Sequence, residues 1–318
     1  MTTVKVATYN INGIRARLPR LLEWLERETP DIVCLQELKA IDTAFPANEI
    51  RALGYGVKWV GQLSWNGVAI LARGSEPLER ARKLPGADDD AQSRYLEAEV
   101  GGIIVACLYL PNGNPQPGPK FDYKLAWFER LITHAKKLYK SAQPVILAGD
   151  FNVVPTDSDI YDPKHWRKDA LLQPESRACY ERLLKQGWID SIRHQHPDEK
   201  IFTFWDYFRN HWKRDAGLRI DHLLLNNVLA PHLRDANVDR WVRDQQGASD
   251  HAPTWVTLSV QTKSAPKKRV AAKKTATKKT RAKPYDESAP TRVGTIRPPP
   301  QLFRQALPFR FHRQRNDD

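Results

Sequence analysis

Pro144-Val145-Ile146-Leu147-Ala148-Gly149-Asp150-Phe151-Asn152 is the stretch on which the reading of this chain turns. It opens as a short, wholly apolar run, as a strand buried on both faces does. Gly149 lets the backbone approach a neighbour closely, and Asp150 and Asn152 follow two residues apart. At strand spacing such residues share a face, so a carboxylate and a carboxamide leave the strand end side by side. Oxygen donors at that place suit a hard cation such as Mg²⁺ with a phosphate group beside it. Asp and Asn also begin turns readily, so the pair alone decides nothing. Matching chemistry has to come from other strand ends.

Working outward, residues 4–9 read as a first strand that ends in Asn10-Ile11-Asn12-Gly13. Residues 17–28 show helical periodicity, with Pro19 tolerable in the first turn, and Pro30 stops the helix. Residues 31–35 form a second buried strand delivering Gln36 and Glu37. A short helix over 48–53 and strands around 55–60, 67–71, 94–100 and 103–110 follow. A Pro/Gly-rich loop, 111–119, leads into a helix over 120–139. Beyond Asp150 come a helical piece near 177–185, a segment at 202–207, a strand over 219–225, and strands near 238–242 and 254–260. Strands and helices interleave, yet many strands succeed one another directly. That order favours an α/β fold of the α+β type, with two mixed sheets packed together and helices outside.

Polar residues collect where these strands end: Asn10 and Asn12, Glu37, Tyr109, Asp150 and Asn152, Asp221, and Asp250-His251. Each has an ordinary explanation. Glu37 suits a first helical turn, Asp221 a pairing with Arg219, and Asp250-His251 a capped turn. Coincidence at successive strand mouths is what raises them to candidate site residues.

Composition sets the frame. The 318 residues hold ten Trp, ten Tyr and ten Phe, ample for a real core. Cys34, Cys107 and Cys179 are odd in number and widely spaced, which reads as reduced core cysteines in a reducing compartment. No signal-peptide pattern and no apolar run of membrane length is present, so a cytoplasmic location is expected. The chain carries 50 Lys+Arg against 37 Asp+Glu, and residues 261–318 hold 16 basic and 4 acidic ones. A nearly neutral body therefore precedes a cationic segment. Residues 263–283, with ten basic residues and almost no large apolar one, cannot offset the entropy of ordering and are expected to be disordered. The division falls at 1–260 and 261–318. An apolar-basic patch at 302–311 fits docking on a protein partner or on the body of the chain, or a plain solvated tail.

The segments Asn10-Ile11-Asn12-Gly13-Ile14-Arg15-Ala16, Leu35-Gln36-Glu37, Tyr109-Leu110-Pro111-Asn112-Gly113, Gly149-Asp150-Phe151-Asn152, Gly217-Leu218-Arg219-Ile220-Asp221 and Ser249-Asp250-His251-Ala252-Pro253 resemble the motif set of the exonuclease III / class II apurinic endonuclease family. They occur in the family's order and cover about residues 4–258. The resemblance implies a four-layer α/β sandwich of the endonuclease/exonuclease/phosphatase superfamily. It also implies Mg²⁺- or Mn²⁺-dependent cleavage of double-stranded DNA 5′ to abasic sites, with 3′-phosphodiesterase, 3′-phosphatase and 3′→5′ exonuclease activity. The partner expected is duplex DNA with abasic sites or blocked 3′ ends, near the nucleoid, and the protein a monomer.

By the same resemblance, Asn10, Asn12, Glu37, Asp150, Asn152, Asp250 and His251 make up the metal-binding set. Tyr109, Asp150, Asn152, Asp221 and His251 are the catalytic residues. Asp150 either deprotonates the attacking water or protonates the leaving group, and His251 binds a phosphate oxygen with its tautomer and pKa set by Asp221. Tyr109 acts as hydrogen-bond donor or as phenolate. Asn12 stands where some members carry Asp. Secreted nucleases, lipid phosphatases and sphingomyelinases of the superfamily generally have His where this chain has Tyr109, which turns the reading towards the repair branch. Asn112, Phe204 and Leu218 are the expected DNA contacts, the last two in a pocket for a flipped abasic sugar. A lipid or inositol phosphatase and a binding protein with a vestigial site are the competing readings. Tyr109 with the aromatic segment speaks against the first, and the full set of site residues against the second.

Overall fold

The structure is a computed structural model that describes residues 2–260, and the expectations for 261–318 lie outside the described residues. The chain begins β1 (Thr2–Asn10), α1 (Ile14–Glu28), β2 (Ile32–Gln36), α2 (Ala47–Ala52), β3 (Tyr55–Val60) and β4 (Val68–Arg73). It continues through β5 (Leu78–Ala81), β6 (Tyr95–Val100), β7 (Ile103–Tyr109), α3 (Pro119–Lys140) and β8 (Val145–Asp150). Then follow α4 (Pro163–Trp166), α5 (Pro174–Leu184), β9 (Ile189–Asp190), α6 (Ser191–Gln195) and β10 (Asp221–Leu225). β11 (Leu233–Val238), α7 (Arg240–Arg243) and β12 (Thr254–Val260) close it.

Two six-stranded sheets result, ordered β11-β12-β1-β2-β4-β3 and β5-β6-β7-β8-β10-β9. Each is mixed: β1 and β2 pair in parallel, as do β7 and β8, and the other ladders are antiparallel. A parallel pair needs a crossover, usually a helix. α1 and α3 supply the two. The inner faces meet in one apolar layer, where Val6, Cys34 and Ile70 of the first sheet join Val105, Ile146 and Leu223 of the second. On one outer face Leu21, Trp24 and Leu25 of α1 cover Tyr9, Val33 and Leu35. On the other, Trp127, Phe128 and Leu131 of α3 cover Leu108, Val145 and Leu147. This is the four-layer sandwich expected.

The same topology makes a site. Ligand crevices in such sheets lie beyond the carboxyl ends of parallel strands. Here β1, β2, β7 and β8 all finish at one rim, with Asn10 opposite Gln36 and Tyr109 opposite Asp150 in register. Gly149 is required for that closeness: a Cβ there would lie 1.9 Å from the Leu108 carbonyl oxygen.

Several boundaries differ from the sequence reading. α1 begins at Ile14, so Pro19 sits inside the helix rather than in its first turn. The strand expected at 238–242 is instead the end of β11 followed by α7. Asp239 explains the change, because its carboxylate accepts from the indole N–H groups of both Trp24 and Trp255, at 2.7 Å each, and turns the chain inward. β5, an exposed edge strand, had no alternation to announce it.

Candidate active site

Asn10 ends β1 fully buried, and its carboxamide nitrogen donates to two carboxylates, Glu37 Oε1 and Asp150 Oδ2, at 3.0 Å each. One side chain thus ties the first sheet to the second. Tyr109, from β7, donates its hydroxyl to Glu37 Oε1 at 2.7 Å. Asp150 accepts the Asn152 backbone N–H on Oδ1 at 2.8 Å, and β10 places Asp221 directly across from it. His251, just before β12, meets Asp221 Oδ2 through Nδ1 at 2.8 Å, with Nε2 3.9 Å from Asp150 Oδ2. Asp250 accepts from the Asn12 carboxamide at 2.9 Å. Asn152 Oδ1 accepts from Asn112 Nδ2 at 3.1 Å, and the Phe204 ring centroid lies 5.0 Å from that of His251. These expected residues fall at this one rim, but Leu218, expected as a DNA contact, is instead fully buried among Val154, Ile160 and Ile220, with Phe204 packed against it.

The backbone is strained there. Asn12, Glu37, Lys39 and Asn152 have φ of 47°, 51°, 50° and 45°. Asn tolerates the left-handed region; Glu and Lys do not do so readily, and such outliers gather at functional sites. The competing partner for Asp221 is also removed. Arg219 is buried and bound instead to Asp159 and Asp190, at 2.7 Å each, leaving Asp221 to His251.

The model of the Endonuclease/Exonuclease/phosphatase family matches residues 7–251. The chain belongs to that family. Within it the likeness is to the exonuclease III / AP endonuclease branch. An exodeoxyribonuclease III of Haemophilus influenzae is 36% identical over 264 residues, covering 79% of this chain and 98% of that protein. An AP endonuclease structure from Archaeoglobus fulgidus aligns with a TM-score of 0.77 at 33% identity, over 81% of this chain and all of that one. A 3′ phosphatase from Neisseria, bound to a product DNA hairpin, aligns with a TM-score of 0.78 at 36% identity, over the same shares.

The endonuclease/exonuclease/phosphatase site of this chain is electrostatically divided. Burial pushes Asp150 up to about 7, helped by Asp221 and partly offset by His251. Burial works against the His251 cation, but the Asp221 charge and hydrogen bond outweigh it and lift its pKa to about 10. Burial also disfavours the Glu37 carboxylate, yet Lys39, Asn10 and Tyr109 hold its pKa below the usual carboxylate value. Tyr109 is raised well above a normal phenol by burial and by Glu37 and Asp150. Its hydroxyl donates to Glu37 Oε1.

Two residues escaped the sequence reading. The Lys39 ammonium lies 2.9 Å from Glu37 Oε2 and donates to Asn12 Oδ1 at 2.6 Å. Its spacing from Glu37 was visible, but only the left-handed turn explains why it comes back to the carboxylate. Lys124, fully buried in α3, donates to the carbonyls of Asn112 at 3.0 Å and Asn152 at 2.5 Å. Burial lowers its pKa to about 7. In a sequence it is one more helical lysine.

The donor set suits a divalent metal. Asp150, Asp221 and His251 offer ligand atoms within 4.8 Å of one another, and Asp221 Oδ1 is buried with no hydrogen-bond partner. Lys39 already shows that Glu37 and Asn12 oxygens converge on one cation. His251 Nδ1 is engaged by Asp221 and the ring is held as a cation, so the carboxylate and carboxamide oxygens are the hard donors left for the ion.

Proposed function

We propose that this protein is a Mg²⁺-dependent (or Mn²⁺-dependent) DNA repair nuclease. It would hydrolyse the phosphodiester 5′ to an abasic site and also clear 3′ phosphates and 3′ ends. The observation that carries the reading is the Asn10 bridge between Glu37 and Asp150, with the Asp221–His251 pair alongside. Glu37, supported by Asn10 and Asn12 and with Asp250 behind, would hold the metal. The metal, when bound, neutralises phosphate charge and stabilises the leaving oxygen.

His251, kept cationic by Asp221, binds a non-bridging phosphate oxygen through Nε2. Tyr109 donates a hydrogen bond to the same phosphate. Asp150 takes the proton of the attacking water, its own two oxygens fixed by the Asn152 N–H and the Asn10 amide. Asn112 and Asn152 position the phosphate from the far side. Phe204, partly exposed beside His251, forms the wall of the sugar pocket, while fully buried Leu218 packs beneath it. A sugar without a base fits that wall where a full nucleotide does not.

The protein would work as a monomer on duplex DNA in the cytoplasm, at the nucleoid. No helix among the described residues is long and apolar enough to cross a membrane. Incubation with Mg²⁺ and a duplex carrying one abasic analogue, beside an undamaged duplex and one with a 3′ phosphate, tests the reading. Incision of the first 5′ to the lesion supports it; no hydrolysis of any of the three overturns it.

A further inference from the structure

Beside the catalytic rim, on the Tyr109 side, runs a groove of about 760 Å³. One wall is the loop between β3 and β4, which includes Trp65 and Asn66; the other is formed by Asn112 and Lys120. Three features of it are unusual together. Trp65 is 69% exposed, and neighbouring Leu63 68%, in a chain whose other tryptophans serve mostly in cores. Asn66 is only 7% exposed, and its Oδ1 has no hydrogen-bond partner although its Nδ2 donates to Gln62. The lining contains Arg94 and Lys120 but no carboxylate, and Arg94 is itself buried, donating to Gln92 Oε1 and to the Tyr109 carbonyl.

A buried acceptor without a donor costs free energy unless something fills it. An exposed indole beside it offers a flat apolar face. A nucleobase satisfies both, stacking on the ring and donating an N–H from its edge. Base pairing leaves the amino groups of A, C and G one N–H each in the grooves but keeps the base faces stacked inside the helix, so stacking on Trp65 together with donation to the acceptor selects an unpaired base over a paired one. The groove is continuous with the catalytic rim through Tyr109 and Asn112, and the Lys39 ammonium lies 4.9 Å from the Trp65 ring centroid.

We propose that the groove is a nucleobase subsite, in which one unpaired base next to the scissile phosphate stacks on Trp65 and donates an N–H to Asn66 Oδ1. This rests on the DNA nuclease reading above. It makes the enzyme favour lesions whose flanking base is unpaired, as at frayed ends, gaps and mismatches.

The test measures binding in EDTA, without turnover. The duplexes are identical except that 2-aminopurine, placed on either side of the lesion, is paired or unpaired. The wild-type protein is expected to bind the unpaired form more tightly and to quench its fluorescence. Trp65→Ala should weaken that binding about 5- to 150-fold, corresponding to a stacking contribution of about 1–3 kcal/mol per base. Trp65→Phe should keep most of it, and Asn66→Ala should lose the discrimination between unpaired and paired. Leu78→Ala, on the distant exposed strand β5, serves as control. Equal losses for paired and unpaired duplexes in Trp65→Ala, or no loss, would overturn the subsite. The two readings separate cleanly: incision without Trp65-dependent quenching sinks the subsite alone, and quenching without hydrolysis of any substrate sinks the nuclease alone.

Discussion

His251 Nδ1 and Asp221 Oδ2 are 2.8 Å apart, and both side chains are buried. The carboxylate therefore fixes which ring nitrogen faces Asp150 and keeps the ring charged. Replacing Asp221 by Asn removes that charge while keeping shape. The rate of phosphodiester cleavage should fall about 10²- to 10⁴-fold. The His251 titration, followed by NMR, should drop from about 10 towards the ordinary imidazole value. A histidine that stayed cationic in Asp221→Asn would show that another group holds the proton.

The pH dependence follows from the same pair. Asp150, raised to about 7, must be deprotonated to act as a base, and His251, raised to about 10, must be protonated to bind phosphate. Activity should rise through about pH 7 and fall through about pH 10. A rate that instead fell above pH 7 would assign Asp150 to leaving-group protonation. Stability moves separately. A histidine whose pKa is raised on folding stabilises fully below its unfolded value of about 6.5, and that contribution fades as pH rises through 10. Thermal unfolding of wild type and His251→Gln should therefore converge in alkaline buffer.

How much of this was legible beforehand depends on what each residue does. Apolar runs with a polar residue at the end announce themselves, so β1, β2, β7 and β8 and the residues Asn10, Glu37, Tyr109 and Asp150 were readable. The layering followed from the order of elements. Lys39 and Lys124 were not readable, because their roles depend on a left-handed turn and on a helix face buried under two loops. The 238–242 segment misled because Val238 and Val242, four residues apart, fit a helix as well as a strand, while Asp239 is captured by the indoles of Trp24 and Trp255, which the sequence order does not bring beside it. Trp65 and Asn66 lie between two strands with nothing in their neighbours to single them out; exposure and an unfilled acceptor set them apart.

Glu37 should be the residue on which metal dependence turns. EDTA, Glu37→Ala, Asp150→Asn and His251→Ala are each expected to lower the incision rate by orders of magnitude. Glu37→Ala should in addition weaken Mg²⁺ binding in a calorimetric titration. Combining Asp150→Asn with His251→Ala should cost far less than the product of the single losses, because both act on one transition state. Near-normal turnover by folded Asp150→Asn would refute the proposed chemistry.

Phe204 separates the two kinds of substrate. Its ring is half-buried beside His251, in the place a flipped sugar would press against. Phe204→Ala should weaken abasic-site incision more than removal of a 3′ phosphate, which needs no deep seating of the sugar. Equal losses on both would mean that Phe204 serves only to pack Leu218.

The charge beyond residue 260 makes a prediction of a different kind. Residues 263–283 contain ten basic residues and no acidic one. If about half of them rest on phosphates at once, the slope of log affinity against log salt steepens by roughly 4. Phosphate contacts of that sort carry no lesion information, so they lengthen residence on DNA without touching the chemical step. A chain ending at Val260 should keep its thermal stability and its single-turnover rate at saturating enzyme, since the sheets and the rim lie within the first 260 residues. It should bind undamaged duplex more weakly at low salt, and the difference should vanish as salt rises. Titrating both forms onto a fluorescent duplex at several salt concentrations measures the two slopes. Parallel slopes would show that these lysines and arginines do not hold DNA, and would leave a protein partner for residues 302–311 as the reading to pursue.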